Sequence, residues 1–148
     1  MSVSRFNIRV YGLLIDGGRI LVSNELIQGQ CVTKFPGGGL EPGEGTLDCL
    51  RREIMEEMGL VVLEPCHFYT TDFFQQSAFR AEDQIISIYY TFQVEDPTKL
   101  VNDAPAQGMA AEPGQRFRWL HLGEASQEDV DFPIDRVVME LLVKGRDI

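Results

Sequence analysis

The stretch Gly38–Leu60, GGLEPGEGTLDCLRREIMEEMGL, decides how this chain is read. It is a glycine-rich loop running into a short acidic helix. Thr46 is a good N-cap, with Asp48 in the first turn where the helix dipole favours an anion. Gly59 suits the left-handed position just past a helix end. At about 100° per residue, Leu47, Leu50, Ile54 and Met58 form one apolar stripe. Glu53, Glu56 and Glu57 gather on the neighbouring arc, because positions three and four apart share a face.

That acidic arc is a poor choice for helix stability. Glu53 faces Glu56 and Glu57 at repulsive spacing, each pair costing about 0.2–0.5 kcal/mol. Glu56 and Glu57 also stand in the last turn, where the dipole disfavours negative charge. Arg52 offsets part of this by pairing with Glu56 one turn on. A solvated acidic face is the bland explanation. The carboxylates, however, lie beside the apolar stripe and follow glycines that let backbone approach a ligand. A hard divalent cation with oxygen ligands turns the repulsion into binding, so a metal site is the better reading.

The stretch resembles the Nudix box. That motif is a glycine, five residues, a glutamate, seven residues, Arg-Glu, an aliphatic residue, one residue, Glu-Glu, one residue, a glycine and an aliphatic residue. Gly38, Glu44, Arg52, Glu53, Ile54, Glu56, Glu57, Gly59 and Leu60 match every defined position. A chance match of the fixed identities in one chain is on the order of one in a million, which makes the signal specific. The resemblance implies an α/β fold, an α/β/α sandwich with a mixed β-sheet between helices. It also implies hydrolysis of the diphosphate bond in a nucleoside diphosphate linked to another moiety, or in a nucleoside triphosphate. A catalytically silent nucleotide-binding or regulatory module of the same fold is the alternative. Such a module is expected to have lost box acids, and this box is intact.

The resemblance places Glu53, Glu56 and Glu57 on Mg²⁺, with Mn²⁺ as a substitute and the Gly38 carbonyl as a further ligand. Arg52 is expected to orient box carboxylates, and Glu44 to hold the loop against the helix. The base is a box glutamate or a glutamate from a distant loop, and for the second case Glu112 is the candidate, ahead of Glu82 and Glu95. In the family the glycine-rich passage abuts the diphosphate, so Phe35, Gly37, Gly38 and Gly39 are expected beside substrate. Phe73, Phe74 and Phe79 can stack on a base, and Arg80 adjoins the last of them. No second motif selects among the family's substrates.

The rest of the chain bounds the answer. A length of 148 residues suggests one domain spanning residues 1–148, and 44% hydrophobic with 24% charged residues suits a globular protein. No apolar run reaches the length of a membrane span, and Met1–Arg9 lacks the apolar core of a signal peptide. Cys31, Cys49 and Cys66 are an odd number without a C-x-x-C pair, so they are expected as reduced core thiols of a cytoplasmic protein. A net charge of −10 argues against a nucleic-acid partner and for a small nucleotide whose charge is met locally.

Along the chain, Phe6–Ile15 and Arg19–Asn24 read as a hairpin around Asp16-Gly17-Gly18. Glu25–Thr33 reads as irregular, and Pro42-Gly43 as a type II turn that swings Glu44 toward the helix. Val61–Phe74 and Gln84–Glu95 read as extended. The segment Gln75–Asp83 between them forms an adorned hairpin tip, near the active site or at the contact of a possible homodimer. Asp96–Gln115 has no periodicity, and a loop of that length is usually functional. Arg116–Leu122 reads as a strand anchored by Trp119. A terminal helix from Pro133 to Gly145 buries Ile134, Val137, Val138, Leu141 and Leu142, and covers the sheet face opposite the box helix.

Overall fold

The computed structural model describes residues 2–100 and 115–145. Its strands are β1 (Arg5–Asp16), β2 (Arg19–Ile27), β3 (Gln30–Lys34), β4 (Gly37–Gly39), β5 (Leu63–Thr70), β6 (Asp83–Gln93) and β7 (Arg116–His121). The helices are α1 (Thr46–Met58) and α2 (Pro133–Gly145). The hydrogen-bonded path runs β3-β2-β1-β6-β5, with β4 also paired to β1 and β7 to β2. β1 and β6 are parallel from Arg5↔Asp83 to Leu14↔Phe92, and the other pairings between these strands are antiparallel.

Period-two alternation on β1 sends side chains to two separate cores. Val10 and Leu14 meet Leu21, Cys49, Leu50, Ile54 and Phe92 under α1. Tyr11 and Leu13 meet Ile20, Val22, Tyr89, Ile134, Val138 and Met139 under α2. The two helices therefore cover opposite faces of one mixed sheet, as the sequence implied. Fully burying Leu50 and Ile54 stabilises the α1 side by roughly 1.5–3 kcal/mol each.

The shortest strand is β4. β1 and β2 share only the pairs next to their turn, Ile15↔Ile20 and Asp16↔Arg19. Beyond these, β4 takes the edge of β1, with Arg9↔Gly39, Val10↔Gly38 and Tyr11↔Gly37. The three glycines were expected in a loop, but they form a strand because side-chain-free residues fit this crowded position. A Cβ at Gly37, where φ is 144°, would stand 2.1 Å from the Val10 carbonyl oxygen.

Other expectations need correction. Glu25–Thr33 is not irregular. β2 continues to Ile27, turns at Gln28-Gly29 with φ of 49° and 80°, and returns as β3. Buried polar pairs hid the alternation there: the Thr33 hydroxyl donates to Asn24 Oδ1 at 3.1 Å. The N-cap of α1 is Gly45, not Thr46. The Asp48 carboxylate accepts from the Gly45 amide at 2.9 Å, and Thr46 instead meets the Tyr90 hydroxyl at 2.6 Å. Leu47 is exposed, and Cys49 takes its place on the buried stripe because a small side chain lets α1 approach the glycine strand. On α2 Leu141 is exposed, while Asp135 and Met139 are buried. Cys66 is exposed on β5, so it is not a core thiol.

The Pro42-Gly43 turn closes as expected, with the Glu44 amide donating to the Glu41 carbonyl at 3.1 Å. Strand β5 stops at Thr70, which leaves Phe73 and Phe74 exposed outside it. Among the described residues no helix is long and apolar enough to cross a membrane.

Candidate active site

The box folds into a bracket around Arg52. Its Nε and Nη2 donate to the two Glu44 carboxylate oxygens at 2.8 and 2.7 Å, a two-pronged contact. Nη2 also donates to the Gly39 carbonyl at 3.0 Å. Nη1 reaches Glu53 at 2.8 Å and Glu56 at 3.4 Å. The Arg52 hydrogen bonds hold the Glu44 carboxyl down at about 2. One guanidinium thus ties the turn, the glycine strand and two acids of α1 together, and offsets the repulsion expected between Glu53 and Glu56.

Glu53 is fixed by shape as well as by charge. A Cβ at Gly38 would stand 2.6 Å from the Glu53 Cδ and Oε1, so the carboxylate lies directly on the glycine backbone. Any larger residue at position 38 would displace it. The box pattern of a glycine and a distant Arg-Glu pair is, at this point, one packing contact.

Glu57 is placed differently. Oε2 of Glu57 and Nε2 of Gln115 are both buried, and neither makes a hydrogen bond of good geometry among the described residues, although the Gln115 amide is near enough to favour the Glu57 carboxylate. Burial pushes the Glu57 carboxyl up to about 7. The Lys34 ammonium and the Gln115 amide pull it back, while Glu53 and Glu25 push it further. Glu56, by contrast, is exposed. Among the described residues no three His, Cys, Asp or Glu side chains converge closely enough to hold an ion as they stand. The box acids are neighbours on one helix, with two of them engaged by Arg52 and the third carrying an open oxygen.

Beside the glycine strand lies a cavity of about 450 Å³, toward the small end of ligand pockets. Gly37, Lys34, Glu25, Arg9 and Tyr11 line one part, and Asn7, Gln75, Gln76, Phe79, Arg80 and Phe132 line another. Phe79 packs edge-on to Phe132 with ring centroids 6.0 Å apart. The expected hairpin tip therefore does border the cavity. Phe73 and Phe74 are not among its lining residues.

Phe35 does not serve as expected. It is fully buried, edge-on to Tyr89 at 6.1 Å, and its amide donates to Asp135 Oδ2 at 3.4 Å. It sits in the short connection between β3 and β4, where its ring joins the core under α2. Among the rivals for the base, Glu82 lies 3.6 Å from Arg5 and Glu95 is an exposed acid near Lys99. Glu112 lies outside the described residues.

Sequence reasoning missed Arg9, Lys34 and Glu25. They stand on β1, β3 and β2, and no local pattern signals that strands so separated enclose one cavity. The one available sign was an arginine between Ile8 and Val10 of a largely apolar strand.

The NUDIX domain family profile matches residues 5–142. The chain belongs to this family and is a Nudix hydrolase, in the class that splits the pyrophosphate bond of nucleoside diphosphate derivatives. Its fold is similar to that of a MutT protein from Aliivibrio salmonicida or Vibrio cholerae. That similarity has a TM-score of 0.66 and 20% identity over 95% of this chain and 98% of that one. A NUDIX hydrolase from Nitrosomonas europaea shares the fold with a TM-score of 0.66 and 21% identity over 95% and 88% of the two chains. A MutT NUDIX hydrolase from Burkholderia pseudomallei does so at 0.64 and 17% over 92% and 97%. None of the curated proteins compared with the chain matches it.

Proposed function

We propose that this chain is a divalent-metal-dependent hydrolase of a nucleoside diphosphate derivative or nucleoside triphosphate, with the nucleoside part seated in the cavity beside Gly37. The observation that carries this reading is the buried oxygen of Glu57, without a hydrogen bond of good geometry among the described residues, on the same helix as Glu53, which itself lies against Gly38. A desolvated carboxylate oxygen without a donor is costly, and a hard cation is the partner that such oxygens fit. Mg²⁺, or Mn²⁺ in its place, would be held by Glu53, Glu56, Glu57 and the Gly38 carbonyl, supplying charge neutralisation at phosphate oxygens and acidification of a water.

The chain's own residues do the remaining work. The Arg52–Glu44 bracket keeps Glu53 and the glycine strand in fixed relation, so the substrate meets a preorganised edge. Water attacks one phosphorus, the bridging P–O bond breaks, and a nucleoside monophosphate leaves with the phosphorylated remainder. A box glutamate, or Glu112, takes the proton from that water. Glu112→Gln separates the two, since a base is worth about 10²-fold or more in turnover. The net charge of −10 supports a small nucleotide over a nucleic acid, and an odd number of cysteines without a C-x-x-C pair fits a reducing, cytoplasmic setting.

The test is a panel of nucleoside diphosphate derivatives and nucleoside triphosphates, incubated with Mg²⁺ and with chelator, with released monophosphate measured. Turnover with metal that disappears with chelator, and rises toward alkaline pH, is the expected result. Turnover that survives thorough metal removal would overturn the metal-dependent reading, and silence on the whole panel would overturn the activity.

A further inference from the structure

The cavity contains a cation that makes no ion-pair contact among the described residues, although Glu53 and Glu25 favour its charge from further away. Arg9 points from β1 into the cavity, where its Nε donates to the Tyr11 hydroxyl at 2.6 Å. No carboxylate lies within ion-pair distance of it among the described residues. Arg5, Arg19, Arg52, Arg80, Lys34 and Lys144 each have one. The guanidinium carbon stands 5.7 Å from the Tyr11 ring centroid, and the Lys34 ammonium stands 5.5 Å from the same centroid. Lys34 is already engaged, donating to the Phe35 carbonyl at 3.1 Å and lying 3.6 Å from Glu25.

Position fixes what the free donors face. A Cβ at Gly39 would come 3.6 Å from Arg9 Nη1, so the guanidinium lies along the glycine strand, and the preceding residue, Gly38, has the Glu53 carboxylate packed on it. Arginine stays charged in such a setting and presents a planar fork of N–H donors that suits phosphate oxygens. With its Nε used by Tyr11, the Nη donors remain for a ligand.

We propose that Arg9, with Lys34 as the second cation, forms a metal-independent phosphate subsite. It holds the phosphoryl group of the substrate half that stays in the cavity. The scissile bond then lies between this subsite and the acids of α1, and the amide and aromatic residues Asn7, Gln75, Gln76, Phe79 and Phe132 receive the moiety attached to that phosphate. The identity of the bond rests on the hydrolase reading; the anion subsite rests on Arg9 alone.

The experiment is calorimetric titration of the metal-free protein with inorganic pyrophosphate in chelator, for wild type, Arg9→Gln and Arg9→Lys. Wild type binds, Arg9→Gln weakens the affinity about tenfold or more, and Arg9→Lys keeps part of it because charge remains while the fork is lost. Circular dichroism confirms that each variant is folded. Should Arg9→Gln not fold, the ¹⁵N signals of the Arg9 guanidinium in wild type decide, since they must move as pyrophosphate is added. Wild type that does not bind, a folded Arg9→Gln that binds equally well, or guanidinium signals that stay still would overturn the subsite. With Mg²⁺ and any substrate turned over, Arg9→Gln raises KM more than it lowers kcat. If no substrate is turned over yet pyrophosphate binding depends on Arg9, the hydrolase reading fails and the subsite stands.

Discussion

Glu57 on α1 and Asp135 on α2 are both carboxylates taken out of water, and their surroundings differ. Asp135 lies in the first turn of α2, where the helix dipole favours an anion. The buried Tyr89 hydroxyl donates to its Oδ1 at 2.5 Å and the Phe35 amide to its Oδ2 at 3.4 Å. Burial pushes its carboxyl up to about 6, with the Tyr89 hydrogen bond and the Lys34 charge pulling the other way. Glu57 lies in the last turn of α1, against the dipole, with one oxygen that makes no hydrogen bond of good geometry among the described residues. A buried acid with its donors in place joins α2 to β6 and to the connection that leads into the glycine strand. A partly buried acid with an oxygen lacking a good donor is a burden that a proton or a cation relieves.

The largest effect that tests this contrast is on catalysis. Glu57→Gln is expected to lower turnover about 10³-fold, equivalent to ~4 kcal/mol of barrier, if its open oxygen is a metal ligand. It should also shrink the rise in melting temperature that Mg²⁺ gives, because a ligand stabilises in proportion to its binding to the native state. Near-normal kcat with an undiminished Mg²⁺ shift would break the comparison from the α1 side.

The second effect is on stability and belongs to α2. Asp135→Ala leaves the buried Tyr89 hydroxyl and the Phe35 amide without their acceptor, and should cost about 3 kcal/mol in urea unfolding. A variant as stable as wild type would mean that the two contacts hold nothing together.

A third effect, of similar size, has a sign. Because the folded carboxyl of Asp135 titrates near 6 against an ordinary value of 3.8, the native state keeps the proton over that window. Its contribution to stability is full below 3.8 and is lost as pH rises through 6, by about 3 kcal/mol in all. Asp135→Asn has no such proton to lose. Urea unfolding at intervals from pH 4 to 7 should show wild type losing ground to Asp135→Asn as pH rises. Parallel curves for the two proteins would show that the acid is ionised throughout.

The smallest effect sharpens the contrast. Without metal, Glu57→Gln removes a desolvated acid, a like-charge neighbour of Glu53 and an unfavourable charge at a helix end. The metal-free variant should be as stable as wild type or more stable by up to about 1 kcal/mol. A metal-free variant that melts far below wild type would make Glu57 a structural acid like Asp135.

What the sequence determined on its own was local. The box acids, the stop at Gly59, the Asp16-Gly17-Gly18 hairpin, the Pro42-Gly43 turn and both bounds of α2 follow from contacts three or four residues apart, which spacing displays directly. Even the placing of the two helices on opposite faces follows from which residues can be buried. The tertiary structure decided what no spacing encodes. It put Gly38 under Glu53, turned Phe35 into the core, left Leu141 outside and Asp135 inside, and brought Arg9 of β1 to Lys34 of β3. Each of these depends on β4 filling the edge that β2 leaves beside β1, and on β6 lying parallel to β1 across a long separation in sequence. Such pairings are fixed by packing the whole sheet between two helices, so the box acids were legible in the chain, and the cavity near them was not.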